Sequence, residues 1–269
     1  MFDALYISAT GMQAQQTNLD TIANNLANVN TTGFKKARVA FTDLMVQEAA
    51  RLAPAQDESA AGAAPWGILG GRLTVGAGVG VAATARLFEM GDLKQTDSAF
   101  DVAIQGEGFI EVNLPDGTSA FTRGGTLKIN QDGLLANSTG YPLKAGISVP
   151  DNAQELLIDA DGKVQAVVPG QLSAVDLGQI ELVRFTGPEA LTALGDQLYR
   201  SSLGSGEPIA ARAAEDGMGS LAQGFLEGSN VKLSEEMVNL MLAQRVYEAN
   251  VKVIQAADDM LGMVNSLRK

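Results

Sequence analysis

The sequence contains no cysteine and no histidine among its 269 residues. Without cysteine the chain has no disulfides and no thiolate nucleophile, and without both residue types it lacks the usual zinc ligands. The absence of histidine also removes the side chain that most often acts as a base near neutral pH. We therefore predict no catalytic residue, no metal site and no cofactor, and we expect that the protein is not an enzyme.

Basic residues are scarce: the chain has 19 Lys and Arg against 31 Asp and Glu, which gives a net charge of −12. This charge repels nucleic-acid phosphates and anionic lipid headgroups, so we expect no nucleic-acid partner. The chain has no basic residue before Lys35 and no long apolar run that would mark a secretory signal or a membrane-spanning helix. We expect no direct membrane insertion, and a location either in the cytoplasm or reached by export without a cleaved signal.

Adjacent acidic residues occur at Asp57-Glu58, Glu235-Glu236 and Asp258-Asp259. A glycosidase needs only two suitably spaced carboxylates, so a secreted glycan-binding or carbohydrate-active protein stays open as an alternative. However, the second pair suits the first turn of a helix, where negative charge complements the helix dipole. The third pair would point in adjacent directions on a helix rather than converge on a cleft.

Apolar residues near the start of the chain recur every seven positions, at Leu5, Met12, Leu19 and Leu26. This spacing predicts an amphipathic helix over about residues 3 to 28. Gly11 and the many Gln and Asn residues make such a helix marginal in isolation, so it needs a partner.

The end of the chain carries a matching pattern. One heptad position holds Leu233, Leu240, Tyr247, Ile254 and Leu261, and a complementary position holds Met237, Gln244, Val251 and Asp258. With Ser234 as a suitable N-cap, the pattern predicts a helix from about 234 to 267. We predict that the two terminal helices pair as a coiled-coil-like layer.

Between the helices the hydrophobic period changes to two, and Asp-Gly pairs occur at Asp116-Gly117, Asp132-Gly133 and Asp161-Gly162. This combination predicts hairpins in a mostly antiparallel β domain. The fold class is therefore α+β, with extended Ala/Gly-rich connecting segments. The predicted divisions are an N-terminal helical segment (1–45), a connecting segment (46–96), the β domain (97–185), a return connecting segment (186–228) and the C-terminal helix (229–269).

The stretch IANNLANVNTTGFKK concentrates side-chain amides at the end of the first predicted helix. Asn28 to Gly33 is good chemistry for a helix end and a turn. That interpretation leaves Asn24 and Asn25 unexplained, because asparagine is a poor helix former. Since an amide both donates and accepts hydrogen bonds, a neighbouring subunit could satisfy these side chains, and assembly becomes the leading hypothesis.

The sequence resembles the bacterial flagellar rod and hook family over nearly its whole length. The similarity is carried by TNLDTIANNLANVNTTGFKK near the start, by DVAIQGEGFI and PDGTSAFTRGGTLKINQDGLLANSTGYPL in the middle, and by EGSNVKLSEEMVNLMLAQRVYEANVKVIQAADDML near the end. Its length and phrases such as LPDGTSAF are most similar to the members that form the distal part of the rod.

The resemblance implies a structural subunit that leaves the cytoplasm through the flagellar export apparatus without a cleaved signal. Such subunits polymerise into a helical tube that transmits torque across the periplasm, with paired terminal helices inside and a β-rich domain outside. The implied partners are copies of the chain itself, other rod proteins, the hook protein, and the rings of the peptidoglycan layer and outer membrane. A proximal rod or hook subunit is the alternative within the family.

The resemblance also indicates which residues carry subunit contacts. The family motifs match this sequence at Asn24, Asn25, Asn28, Gly33, Phe34, Gln244, Arg245, Tyr247, Glu248 and Asn250. We add the heptad residues Leu5, Met12, Leu19, Leu26, Leu233, Met237, Leu240, Val251, Ile254 and Leu261. All of these are predicted subunit contacts.

Overall fold

The computed structural model describes residues 2–47, 74–150, 152–169, 174–215 and 217–267. The chain divides into two compact units. The helical unit comprises Met1–Ile22, Val39–Thr84 and Val238–Lys269, and the β unit comprises Ala23–Arg38 and Ala85–Met237. No helix among the described residues is long and apolar enough to cross a membrane.

Two long helices lie at the chain ends, as predicted: α1 spans Phe2–Ala27 and α2 spans Leu233–Leu267. Within the helical unit they pack together through a face of small residues, because a Cβ atom added to Gly11 would lie 3.0 Å from Asn250 Nδ2. Ala243 and Ala257, seven residues to either side of Asn250, are buried. This side of α2 therefore faces α1.

The heptad prediction for α2 needs one correction. Leu240, Ile254 and Leu261 of the first predicted heptad position are half-buried beside the small-residue face, but Leu233 and Tyr247 of the same position are exposed. The second predicted position is wrong for the single chain, because Met237, Gln244 and Asp258 are exposed and Val251 is half-buried. Ala243 and Ala257 take that place, since small side chains opposite Gly11 let the two backbones approach closely.

The residues after α1 form a strand rather than a longer helical segment. Strand β1 covers Ala37–Gln47 and pairs with β2, Thr74–Arg86, in a two-stranded sheet. In the helical unit, the backbone N–H of Val79 donates to Thr10 Oγ1 at 3.4 Å, which places β2 against α1. The predicted N-terminal segment 1–45 therefore ends in a strand, and the predicted connecting segment 46–96 carries β2, while residues 48–73 of it lie outside the described residues.

The β unit contains several antiparallel sheets. Its strands are β3 (Leu93–Gln95), β4 (Asp101–Gln105), β5 (Phe109–Asn113), β6 (Ser119–Thr122), β7 (Gly124–Thr126), β8 (Lys128–Ile129), β9 (Leu135–Ala136), β10 (Glu155–Ile158), β11 (Lys163–Val167), β12 (Val175–Gln179), β13 (Glu181–Arg184), β14 (Thr192–Gly195), β15 (Leu198–Arg200), β16 (Ile209–Arg212), β17 (Ser220–Gln223) and β18 (Phe225–Glu227). The largest sheet has the order β14-β15-β6-β5-β13-β16, and β17-β4-β7 and β10-β11-β12 form three-stranded sheets.

The three predicted Asp-Gly hairpins are confirmed. They join β5 to β6, β8 to β9 and β10 to β11, each pair antiparallel. The glycines of these turns, Gly117, Gly133 and Gly162, have φ values of 78°, 74° and 85°, a region that glycine enters without steric cost.

The β unit extends beyond the predicted boundary at residue 185. Residues 186–228, predicted as a return connecting segment, contribute β14 to β18. Leu198 and Tyr199 in β15 and Leu221 in β17 are buried in the unit. These strands are three or four residues long, so they gain their order from hydrogen bonding to neighbouring strands rather than from a strong local pattern.

Candidate assembly surfaces

The buried amide of Asn25 joins the end of α1 to the start of β1. Its Nδ2 donates to the Ala37 carbonyl and its Oδ1 accepts from the Ala37 N–H, both at 2.9 Å. Nδ2 also lies 3.4 Å from Glu236 Oε2, and the Asn25 side chain is buried. The side-chain amide therefore forms with the Ala37 backbone the two hydrogen bonds that a neighbouring strand would form. Its hydrogen-bonding groups are satisfied within its own chain.

The turn after α1 is stabilised by local polar contacts and by Gly33. Asn28 Nδ2 donates to the Asn24 carbonyl at 2.9 Å, and the same carbonyl also accepts from the Asn28 N–H at 3.2 Å. Gly33 has a φ of 68° and donates its N–H to the Glu227 carbonyl at 2.7 Å. This turn thus leads the chain from α1 to the edge of β18.

Replacing Gly33 with alanine should destabilise the protein by about 1 to 3 kcal/mol, because the left-handed backbone is unfavourable for residues with a Cβ. The new Cβ would also lie 2.6 Å from Gln197 Oε1, so that side chain would have to move. Urea unfolding would measure the loss. Gly117→Ala isolates the backbone cost, since Gly117 has a φ of 78° and nothing within 4 Å of an added Cβ, so it should lose less stability than Gly33→Ala. Unchanged stability of Gly33→Ala would contradict the expectation.

Three buried charged side chains meet beside this turn, and none of them belongs to the predicted set of contact residues. Lys35 is 0% exposed, Glu227 3% and Arg123 4%. Lys35 Nζ donates to Glu227 Oε1 at 2.6 Å, and Arg123 Nε donates to Glu227 Oε2 at 3.4 Å. We call this the Glu227 cluster. All three residues lie within the stretches that resemble the flagellar rod and hook family, but nothing in the sequence connects them to one another.

Backbone groups complete the Glu227 cluster. Lys35 Nζ also donates to the Glu89 carbonyl at 2.6 Å, and Glu227 Oε1 accepts from the Gly91 N–H at 3.0 Å. Burial lowers the pKa of the Lys35 ammonium group below its usual value of 10.5, and the Glu227 carboxylate opposes that shift. Buried charges are stable only when paired and hydrogen-bonded, so these contacts hold the turn after α1 against the segment 89–91 and β18.

A second amide outside the predicted set, Asn230, holds the same region. Its Oδ1 accepts from the Lys36 N–H at 2.7 Å, and its Nδ2 donates to the Leu87 carbonyl at 2.8 Å. Two of the amides in this part of the β unit, Asn25 and Asn230, therefore replace backbone pairing where the chain leaves regular structure.

The long helix α2 exposes a continuous apolar stripe. It consists of Val238, Leu242, Val246, Val253, Met260 and Val264, each between 44% and 55% exposed. At about 100° per residue, this α2 stripe lies roughly a fifth of a turn around the helix from the face that holds Ala243 and Ala257. A second apolar face left in water is characteristic of a helix that packs against another molecule.

The predicted contact residues occupy three kinds of environment. Asn24, Leu233, Met237, Gln244, Arg245, Tyr247 and Glu248 are exposed; Leu5, Met12, Leu19, Leu26, Asn28, Phe34, Leu240, Asn250, Val251, Ile254 and Leu261 are half-buried; Asn25 and Gly33 are buried. The burial of Asn25 and Gly33 is explained by their hydrogen bonds to Ala37 and Glu227 within the chain. The residues of the α2 stripe were outside the predicted set, although their four- and seven-residue spacing is visible in the sequence.

Comparison with known proteins finds matches along the whole chain. The family model described as "Flagella basal body rod protein" matches residues 5–35, "Flagellar hook protein FlgE/F/G D1 domain" matches 103–166, and "Flagellar basal body rod FlgEFG protein C-terminal" matches 222–267. The chain is 44% identical to the flagellar basal-body rod protein FlgG of Borreliella burgdorferi over 100% of both chains. It is 40% identical to FlgG of Caulobacter vibrioides, over 98% of this chain and 99% of the relative, and 38% identical to FlgG of Bacillus subtilis over 100% of both.

Proposed function

Because the chain belongs to the flagellar basal-body rod protein family, we propose that it is a structural subunit of the distal rod. In this role it polymerises into a helical tube that acts as a drive shaft and transmits torque across the periplasm. It carries out this role without catalytic activity and leaves the cytoplasm through the flagellar export apparatus, without cleavage of a signal.

The observation that carries the proposal is the α2 stripe. Its six apolar side chains remain at least 44% exposed in the single chain, although the neighbouring face of the same helix is buried. Water-exposed apolar area of this extent is unfavourable for a protein that works as a monomer. Contact between neighbouring subunits would bury the stripe, and a heterologous contact repeated by rotation and translation produces a helical filament.

The proposed partners follow from the position of such a subunit. Copies of the chain are the main partners. Other rod proteins and the hook protein contact the two ends of the distal rod that these copies form. The rings of the peptidoglycan layer and outer membrane surround it. The net charge of −12 gives the subunits a common sign, so apolar contacts between helices must outweigh their mutual repulsion.

Deletion of the gene in a motile host tests the proposal. We expect cells without motility, whose isolated basal bodies stop at the proximal rod when viewed by electron microscopy. Expression of the chain from a plasmid should restore the distal rod, the hook and swimming. An epitope-tagged chain should label the rod between its proximal part and the hook. Hook-bearing basal bodies in the deletion strain, or label confined to the hook, would contradict the proposal.

A further inference from the structure

Helix α2 carries several methionines that are open to solvent. The sequence contains nine methionines, and four of them lie within Leu233–Leu267. These four are between 44% and 59% exposed: Met237, Met241, Met260 and Met263. In the β unit, Met90 is 49% exposed, whereas Met218 packs in the hydrophobic core and is 7% exposed. Solvent therefore reaches the thioether side chains of α2 in the single chain.

Exposed thioethers are sites of oxidation. Hydrogen peroxide transfers one oxygen atom to the methionine sulfur, which becomes a sulfoxide, and the peroxide is reduced to water. The chain contains no cysteine, so no thiolate of its own competes for the oxidant. Oxidation turns a flexible apolar side chain into a polar one. The consequence of this change depends on the surface that the methionine occupies.

Met260 differs from the other methionines of α2 because it belongs to the α2 stripe. At about 100° per residue, Met260 lies about five full turns after Leu242 and points in the same direction. Val253 and Val264 lie beside it on the stripe. Met241 lies about 100° around the helix from Leu242 and is outside the stripe. Met260 and Met241 are 44% and 53% exposed, so an oxidant reaches both of them.

A sulfoxide at residue 260 conflicts with burial of the stripe. Its oxygen accepts hydrogen bonds, and the side chains of Val253 and Val264 have no donor to offer. Burial of an acceptor without a donor is unfavourable, because the group loses its hydrogen bonds to water. In the single chain the same oxygen stays in water, so oxidation leaves α2 folded. The modification therefore acts on contacts between subunits and not on the fold.

We propose that Met260 is a modification site at which oxidation controls assembly. A subunit that carries the sulfoxide stays out of the rod. A methionine sulfoxide reductase, which uses a thiol reductant to remove the oxygen as water, makes the subunit competent again. The inference rests on the proposed function, since it needs the stripe to be buried between copies. Oxidation acts on the free subunit, because the thioether is covered once the subunit has joined the rod.

Peroxide footprinting compares the free chain with the assembled chain. The purified chain and isolated basal bodies are treated with hydrogen peroxide, and peptide mass spectrometry locates each methionine that has gained an oxygen atom. In the purified chain we expect oxidation of Met260 and Met241 and protection of Met218. In basal bodies we expect Met260 to be protected as well. Equal oxidation of Met260 in both samples would overturn the inference.

Substitution with glutamine imitates the modification, because it gives residue 260 a polar acceptor on a side chain of similar length. In a deletion strain, we expect Met260→Gln to enter basal bodies at least about fivefold less than the wild-type chain, from the cost of an unsatisfied buried polar group. Met241→Gln is the matched control and should assemble normally. Circular dichroism of both purified variants should show native helix content. Normal rods with Met260→Gln, or equal loss of rods in both variants, would overturn the inference.

Met260→Leu tests the role of the sulfur itself, since leucine keeps the apolar surface but has no atom to oxidise. The variant should swim normally and keep its rods when cells grow in sublethal hydrogen peroxide. Cells with the wild-type chain or with Met241→Leu should lose rods under the same conditions. Equal numbers of rods in all three strains under peroxide would overturn the inference.

These outcomes separate the inference from the proposed function. Absence of the wild-type chain from basal bodies would overturn both. A wild-type chain that is present in basal bodies, together with normal rods of Met260→Gln, would overturn only the role of Met260 and leave the rod assignment intact.

Discussion

Replacement of Glu227 with glutamine should destabilise the β unit by about 3 to 5 kcal/mol, the usual cost of removing one partner from a buried ion pair. In the native protein the carboxylate accepts from Lys35 at 2.6 Å and from Arg123 at 3.4 Å. Glutamine has nearly the same shape but no charge, so the two cations would remain buried next to each other. Chemical unfolding of the purified chain, followed by circular dichroism, measures the loss.

Comparing the stability losses of three variants distinguishes the cost of an unpaired buried charge from that of lost packing. Lys35→Met should cost less than Glu227→Gln, because Glu227 keeps its contacts with Arg123 and the Gly91 N–H. Glu235→Gln is the exposed control: it breaks the surface pair with Lys232, which is worth at most about 1 kcal/mol. Equal effects of Glu227→Gln and Glu235→Gln would show that the buried cluster contributes no more than a surface pair.

The deficit of Glu227→Gln should also shrink as the pH rises. Burial already lowers the pKa of Lys35 in the native fold, and loss of the neighbouring carboxylate lowers it further. Between that pKa and 10.5 the unfolded chain binds more protons at Lys35 than the folded chain, so stability rises with pH. Unfolding at about pH 7 and about pH 9 would show the trend, and a deficit that grows with pH would contradict it.

Local chemistry explains which parts of the fold were predictable. The heptad spacing located both helices within one or two residues, and Asp-Gly pairs located three hairpins. The predicted N-cap, Ser234, lies inside α2, which begins at Leu233. The strands between residues 192 and 227 were missed, because runs such as Leu198–Arg200 are too short to carry a period. Pairing within the sheet, which a single segment does not reveal, decides their conformation.

The Glu227 cluster was beyond local inference for a related reason. Lys35 and Glu227 lie 192 residues apart in the chain, and no spacing rule connects them. Asn25 shows the opposite case, since an amide inside a helix suggested a neighbouring subunit, whereas its hydrogen bonds within the chain go to Ala37 twelve residues later. A polar group placed against local propensity thus indicates a partner without telling whether that partner lies in the same chain.

The pattern of α2 was equally ambiguous. Its spacing correctly marked Leu240, Ile254 and Leu261, but the sequence offered several apolar faces and did not rank them. The close approach at Gly11 settled which face packs within the chain. The α2 stripe remains exposed after that face is covered, and it is therefore the surface where a substitution would separate folding from assembly.

Leu242→Glu should leave the monomer folded and abolish swimming. Leu242 is 55% exposed, so a carboxylate at this position stays in water in the single chain. In the proposed rod the same side chain is buried between subunits, where about 1.5 to 3 kcal/mol of apolar burial is lost and an unpaired charge must be desolvated. The penalty recurs at every subunit of the polymer. Swimming in soft agar and electron microscopy of basal bodies measure the result.

Gln255→Glu is the matched control, because it adds the same charge to an exposed position of α2 outside the stripe. It should swim and assemble normally, and circular dichroism should show native helix content in both variants. Loss of assembly in both would mean that added negative charge alone blocks polymerisation of a chain that already carries a net charge of −12. Normal rods with Leu242→Glu would show that the stripe stays in water in the assembled protein, and the burial of α2 between subunits would have to involve a different face.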